Sequence, residues 1–260
     1  MLKNNNTTLI IGGSSTIGKT FINENLNSNE VFISTYFQNK IILKNKYSKN
    51  LIQFKIDLNK KQEIVKLLDY LKKENFIPSK ILHIASKKLT YNHFSKISWK
   101  DFEENYHIQV RSLFYILQFV LPFMKKSKFG KILTILSSVV LFKPPSYMSS
   151  YVTTKYALLG LINSIVSEYY KYNISFNCIS PSMIETNFLS NVPEKIIELS
   201  KNQNPQKKNV DVKDLVRCIN YFFHEETKNL SGINFPLIDI LPSPFINQTR
   251  AMEFFLLPVA

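Results

Sequence analysis

The sequence predicts an α/β fold: one domain built on a doubly wound parallel sheet, in three α/β/α layers. Three observations carry this. Short apolar runs alternate with longer amphipathic segments to about residue 240. A glycine turn joins the first apolar run to the first amphipathic segment. The length of 260 residues exceeds a minimal domain and is short for two separate ones, so residues 1–260 are expected to form a single domain.

In chain order, residues 8–11 read as a strand, and 12–18 as a loop entering a helix to about residue 25. Residues 31–36 and 51–56 are the second and third strands, the latter closed by Asp57. Ile64, Leu67, Leu68 and Leu71 mark the apolar face of a helix over 60–73. Residues 81–85 form a fourth strand and 99–124 a long helix with Pro122 near its end. A fifth strand spans 131–136, a second long helix 150–170 and a sixth strand 174–179. A helix over 211–224 and a strand over 233–238 complete the pattern. Residues 182–210 have weak periodicity and many polar side chains, which suggests an irregular substrate loop or lid. The tail over 241–260 is apolar and must be covered by its own domain or another subunit.

Composition excludes several classes. No stretch approaches the roughly 20 apolar residues of a membrane span. Residues 1–8 are polar and lack the apolar core of a secretory signal, so a cytoplasmic protein is expected. Cys178 and Cys218 sit in apolar contexts and read as buried thiols. His83, His93, His107 and His224 lack ligand spacing, so no metal is expected. The net charge of +14 invites a nucleic-acid reading. The lysines are spread along the chain and not gathered with aromatics, so no nucleic-acid partner is expected.

Two places carry chemistry. In the first, Gly12-Gly13-Ser14-Ser15-Thr16-Ile17-Gly18 follows a strand and opens a helix. Backbone N–H groups at such a helix start bind a pyrophosphate, aided by the helix dipole. An acidic residue ending the second strand would bind a ribose 2′-hydroxyl, and Ser34 to Lys40 supply none. Lys40 or Lys44 can meet a 2′-phosphate there, or can simply be solvated, so the expectation leans to NADP(H) over NAD(H). Asp57 can reach an adenine edge or cap the next helix.

In the second place, Ser138 follows the fifth strand, and Tyr151 and Lys155 share a face at the next helix start. A tyrosine of pKa near 10 is a poor acid or base at neutral pH. A neighbouring ammonium lowers that pKa, and a serine hydroxyl can hold a substrate oxygen. Together they offer proton transfer matched to hydride transfer.

On these residues the chain resembles the short-chain dehydrogenase/reductase family over roughly residues 7–240. Its glycine turn is similar to T-G-x-x-x-G-x-G, with Ile11 for Thr and Thr16 for the middle Gly. Ser138 and Tyr151-x-x-x-Lys155 match the family's spacing, and Asn177 to Ser182 resembles N-x-I-x-P-G, with Thr186 following. The resemblance implies a Rossmann-type fold and catalysis by Ser138, Tyr151 and Lys155. Gln109 stands where the family's relay asparagine falls. It implies a cofactor held by Gly12, Ser14, Ser15, Thr16, Ile17, Gly18, Asp57, Ala85, Tyr151, Lys155, Pro181, Ile184 and Thr186. The family's N-N-A-G appears as His83-Ile84-Ala85-Ser86, and its late D-G-G is missing around Asp239.

The implied activity is NAD(P)-dependent reduction of a carbonyl or oxidation of an alcohol, nearest to 3-oxoacyl carrier-protein reductases. The implied partners are a small-molecule or acyl-carrier-linked carbonyl substrate and a homodimer or homotetramer. The departures leave a second reading open: a cofactor-binding module that has lost turnover and acts in scaffolding or regulation.

Overall fold

The computed structural model describes residues 6–43, 46–204 and 206–238. Seven parallel strands form one sheet: β1 (Thr7–Ile11), β2 (Val31–Tyr36), β3 (Leu51–Lys55), β4 (Lys80–His83), β5 (Gly130–Ile135), β6 (Ile174–Pro181) and β7 (Asn234–Leu237). Their order is β3-β2-β1-β4-β5-β6-β7, so the winding reverses between β1 and β4. Ligands of such sheets bind at that reversal, beyond the carboxyl ends of the strands.

The central strands β1, β4, β5 and β6 are buried almost throughout because helices cover both faces. Leu9 and Ile11 of β1 face one side, and Ile10 between them faces the other. The first side packs against α2 (Lys61–Lys73), α4 (Ser112–Ser127) and α5 (Ser149–Tyr169), with α3 (Trp99–Tyr106) leading into α4. The second packs against α1 (Thr16–Asn25) and α7 (Val212–Phe223). Replacing a fully buried residue such as Leu158 or Ile219 by Ala would cost about 2–5 kcal/mol.

The structure departs from the expected elements in two places that matter for the site. The long helix over 99–124 reaches Ser127 and is interrupted by a π turn at His107–Arg111. Such a turn inserts one extra residue without ending the helix, so hydrophobic spacing does not announce it. Residues 182–210 are not irregular throughout: a short turn at Asn187–Leu189 precedes α6 (Glu194–Gln203). None of the α6 residues is fully buried, which is why its apolar period is faint.

Buried polar contacts tie the framework together. Lys131 of β5 is 2 % exposed and donates to the carbonyls of Phe222 and His224 and to Thr227 Oγ1, holding the end of α7. Burial pushes its pKa down to about 8. Asn177 of β6 donates to the Leu230 carbonyl at 2.8 Å and accepts from Ile233 N–H at 3.1 Å, which sets β7 beside it. Cys178 is a buried free thiol and Cys218 a half-buried one. Among the described residues no helix is long and apolar enough to cross a membrane, and no cluster of ligating side chains could hold a metal. Lys44, Asp239 and the apolar tail over 241–260 lie outside the described residues.

Candidate functional site

A cavity of about 1220 Å³ opens at the carboxyl ends of β1, β2, β4, β5 and β6. Its first wall is the glycine turn. Gly12 has φ of 87°, and a Cβ there would meet Ala85 Cα at 2.7 Å, so only glycine lets the turn pass the loop after β4. Thr35 Oγ1 at the end of β2 accepts the Gly12 N–H at 2.9 Å. Ser15 caps α1, its Oγ accepting from Gly18 N–H at 3.2 Å. No acidic side chain stands in the first turn of α1, which leaves its positive end free for an anion.

The cavity wall includes Gly12, Ser14, Ser15, Thr16, Ile17, Asp57, Ala85, Ser138, Tyr151, Lys155, Pro181, Ile184 and Thr186. Two expected site residues are outside it. Gly18 is buried, and a Cβ on it would strike the Gly13 backbone, so it serves the packing of turn on helix. Gln109 is fully buried in the π turn. Its Nε2 donates to Asn105 Oδ1 at 3.4 Å, and Asn105 reaches Ser150 at 3.5 Å, next to Tyr151. The Gln109 Oε1 has no partner.

Two further expectations change. Asp57 is not a helix cap: its Oδ1 accepts from Asn59 N–H at 3.0 Å in a local turn, and Lys60 stands at the N-cap of α2. Lys40 is exposed and outside the cavity wall, because the rim is formed by Tyr36 to Asn39. Lys19, one position beyond the glycine turn, is among the basic residues of the cavity wall.

Both Ser137 and Ser138 line the cavity with Tyr151, and the Ser137 hydroxyl favours the ionised phenol. Two residues beyond β5 the chain is still extended at Ser137, whose Oγ accepts from Val139 N–H at 3.4 Å, and it then turns at Ser138–Val140. Ser138 starts that turn, its carbonyl accepting from Leu141 and Phe142, and lines the cavity beside Ser137. Two adjacent serines were the visible signal; their spacing to Tyr151 does not separate them.

Burial dominates the electrostatics. It pushes the Tyr151 phenol up to about 12, opposed only by the bond with Ser137. It pushes Lys155 down to about 7. Lys155 Nζ donates to the Ile135 carbonyl at 2.8 Å and lies 5.5 Å from the Tyr151 ring centroid. The amine thus sits over the Tyr151 ring while its hydrogen bond goes to the backbone.

The remaining wall is apolar, with Leu89, Ile108, Phe142, Pro145, Met148, Met183 and Phe188 prominent. Residues 182–210 supply part of it. Phe188 packs against Tyr151 with ring centroids 5.4 Å apart. The Phe188 carbonyl accepts from Leu89 N–H at 3.1 Å, and Asn191 Nδ2 donates to the Leu89 carbonyl at 3.4 Å. Lys87, paired with Asp101 at 2.8 Å and Glu104 at 2.6 Å, pins the Leu89 loop to α3.

Comparison with known proteins agrees with this geometry. The family model described as short chain dehydrogenase matches residues 6–196. The 3-oxoacyl-(acyl-carrier-protein) reductase FabG of Buchnera aphidicola subsp. Baizongia pistaciae is 27% identical over 231 residues, covering 86% of this chain and 92% of that one. Tropinone reductase-like 3 of Erythroxylum coca is 34% identical over 83 residues, 32% of this chain and 31% of its own. A structure of 4-hydroxyisoleucine dehydrogenase complexed with NADH superposes with a TM-score of 0.78 at 24% identity, covering 90% of this chain and 97% of that one. ElxO with NADP bound gives a TM-score of 0.77 at 19% identity, covering 90% and 97%. These two likenesses bear on the fold.

Proposed function

Because this chain belongs to the short-chain dehydrogenase family of oxidoreductases, we propose that it interconverts a carbonyl and an alcohol with a nicotinamide dinucleotide. The observation that carries this is the convergence of Tyr151, Lys155 and Ser137 on one cavity with the glycine turn. The donor set fits a dinucleotide: backbone N–H groups at an uncompensated helix start for phosphates, and Lys155 for ribose hydroxyls. The bound cofactor supplies or accepts the hydride.

The residues of this chain handle the proton. In reduction, the Tyr151 O–H donates to the carbonyl oxygen as that oxygen gains negative charge. Ser137 Oγ donates a second hydrogen bond to the same oxygen and fixes its position. A charged Lys155 beside the phenol stabilises the tyrosinate left behind. Ser138, on the same turn, shapes the wall. Gln109 and Asn105 brace the start of α5 through Ser150.

Lack of a carboxylate at the end of β2 and the presence of Lys19 support NADP(H) over NAD(H). The apolar wall around Phe142, Met148 and Phe188 supports a ketone on an aliphatic or acyl body, as a 3-oxoacyl carrier-linked substrate would present. Residues 182–210 act as the substrate lid. Half-exposed Phe114 of α4 and Tyr156 of α5 offer apolar surface for a homodimer or homotetramer.

The test is direct. NADPH fluorescence should report binding, and a panel of ketones and 3-oxoacyl thioesters should drive its oxidation. Binding with no turnover on the panel would favour the scaffolding reading. Failure to bind NADPH or NADH would overturn the proposal.

A further inference from the structure

Behind Lys155 lies a polar row that the proposed mechanism does not use. His83, Thr134 and Cys178 are register partners on the adjacent strands β4, β5 and β6. Parallel partners point to the same face of the sheet. Cys178 and Ile11, the partner of His83 on β1, belong to the core beneath α4 and α5, so this row faces the helix that carries Lys155. The Lys155 amine reaches the row: it donates to the carbonyl of Ile135, the residue after Thr134, and its charge acts on both His83 and Cys178.

The row contains unanswered acceptors. His83 is 1 % exposed and Thr134 fully buried. The His83 Nε2 and Thr134 Oγ1 have no hydrogen-bond partner among the described residues. A buried polar atom left in this way carries a free-energy cost, and a nearby ammonium with further donors relieves it. Lys155 uses one donor on Ile135, and its four-carbon stem can turn the ammonium between neighbouring acceptors.

We propose that His83 is a positioning residue for Lys155, its Nε2 accepting a hydrogen bond from the ammonium and keeping that lysine charged through turnover. The proposal rests on the assignment of Lys155 to a hydride-transfer site. Around Lys155 the titratable groups are His83 from β4, Cys178 from β6 and Tyr151 on α5 itself. Burial keeps the thiol and phenol protonated at neutral pH, both pushed up to about 12. It keeps the imidazole neutral, pushed down to about 3. With these groups neutral at neutral pH, the ammonium is left to neutral acceptors. The tautomer follows: the ring proton sits on Nδ1 and Nε2 is bare.

Nitrogen-15 NMR of histidine-labelled protein tests this without any need for turnover. The expected His83 signal is a neutral ring with a bare Nε2 from about pH 5 to about pH 8, and that nitrogen shifts in Lys155→Met. A proton on Nε2, or a signal indifferent to Lys155→Met, overturns the proposal. Kinetics supply the second arm. His83→Leu should move the alkaline limb of kcat/KM down by about one pH unit, a tenfold loss above it. His83→Asn, whose amide oxygen is again an acceptor, should restore the limb. An unmoved limb in a folded His83→Leu also overturns it. Absence of turnover in the wild type, with the NMR result as expected, would sink the assigned reaction and leave the His83–Lys155 pairing standing.

Discussion

The Lys155 amine stands 5.5 Å from the centroid of the Tyr151 ring and gives its hydrogen bond to the Ile135 carbonyl at 2.8 Å. The two side chains share a helix face, yet the lysine is turned to the sheet rather than to the phenol. In the proposed reaction, proton transfer from Tyr151 depends on whether Lys155 is charged and where its ammonium is directed.

This gives a pH prediction. Burial lowers Lys155 to about 7, so its charge is complete below that value and lost as pH rises through it. Reduction should be fastest on the acid side and fall tenfold per pH unit above about 7. A pH profile of kcat/KM with the cofactor saturating checks it. A profile flat to the range of an unperturbed lysine would contradict the assignment.

The two serines should separate. The Ser137 hydroxyl favours the ionised Tyr151 phenol, whereas Ser138 begins the following turn. Ser137→Ala should cost about 10²-fold in kcat/KM, as expected for loss of one donor to a developing oxyanion. Ser138→Ala should cost less than about threefold, a surface-like effect. Steady-state kinetics of the two variants decide, and equal losses would return Ser138 to the active site.

Phe188 should govern substrate fit. Its ring lies 5.4 Å from that of Tyr151 and its carbonyl is tied to Leu89. Phe188→Ala removes apolar contact with the body of the substrate, so KM for long aliphatic ketones should rise about 10-fold or more. The smallest ketones should change little. Equal effects across the ketone series would show that Phe188 serves packing alone.

His83 should make the fold acid-sensitive. Its pKa is lowered to about 3, against 6.5 for a free histidine, so the unfolded chain binds the proton more tightly. The stability it contributes is present above 6.5 and lost as pH falls toward 3. His83→Asn should lose less stability than the wild type between neutral pH and about pH 4, by roughly 3 kcal/mol. Urea titrations at the two pH values read the difference.

Much of this was legible in the sequence because the sheet is buried on both sides. Short apolar runs such as 9–11 and the glycine turn at Gly12 identify strands and their phosphate end without tertiary information. The Tyr151 and Lys155 pairing follows from helical spacing alone. What was hidden depends on a single residue of register. The π turn at His107–Arg111 keeps the helical pattern on both sides, and Ser137 and Ser138 differ only in where β5 stops and the chain turns. That Lys19 rather than Lys40 lines the cavity depends on how α1 sits on the sheet, which spacing does not encode. The helix α6 escaped because it packs loosely, and His83 looked like a lapse from a motif until the sheet register set it beside Thr134 and Cys178.

The most direct measurement is single-turnover oxidation of NADPH by wild type and Tyr151→Phe, with nucleotide binding followed on the same samples. The account predicts unchanged NADPH binding and a loss of carbonyl reduction of about 10³-fold or more in the variant, since general acid catalysis commonly contributes 10²–10⁴-fold. Reduction at the wild-type rate by Tyr151→Phe would contradict it.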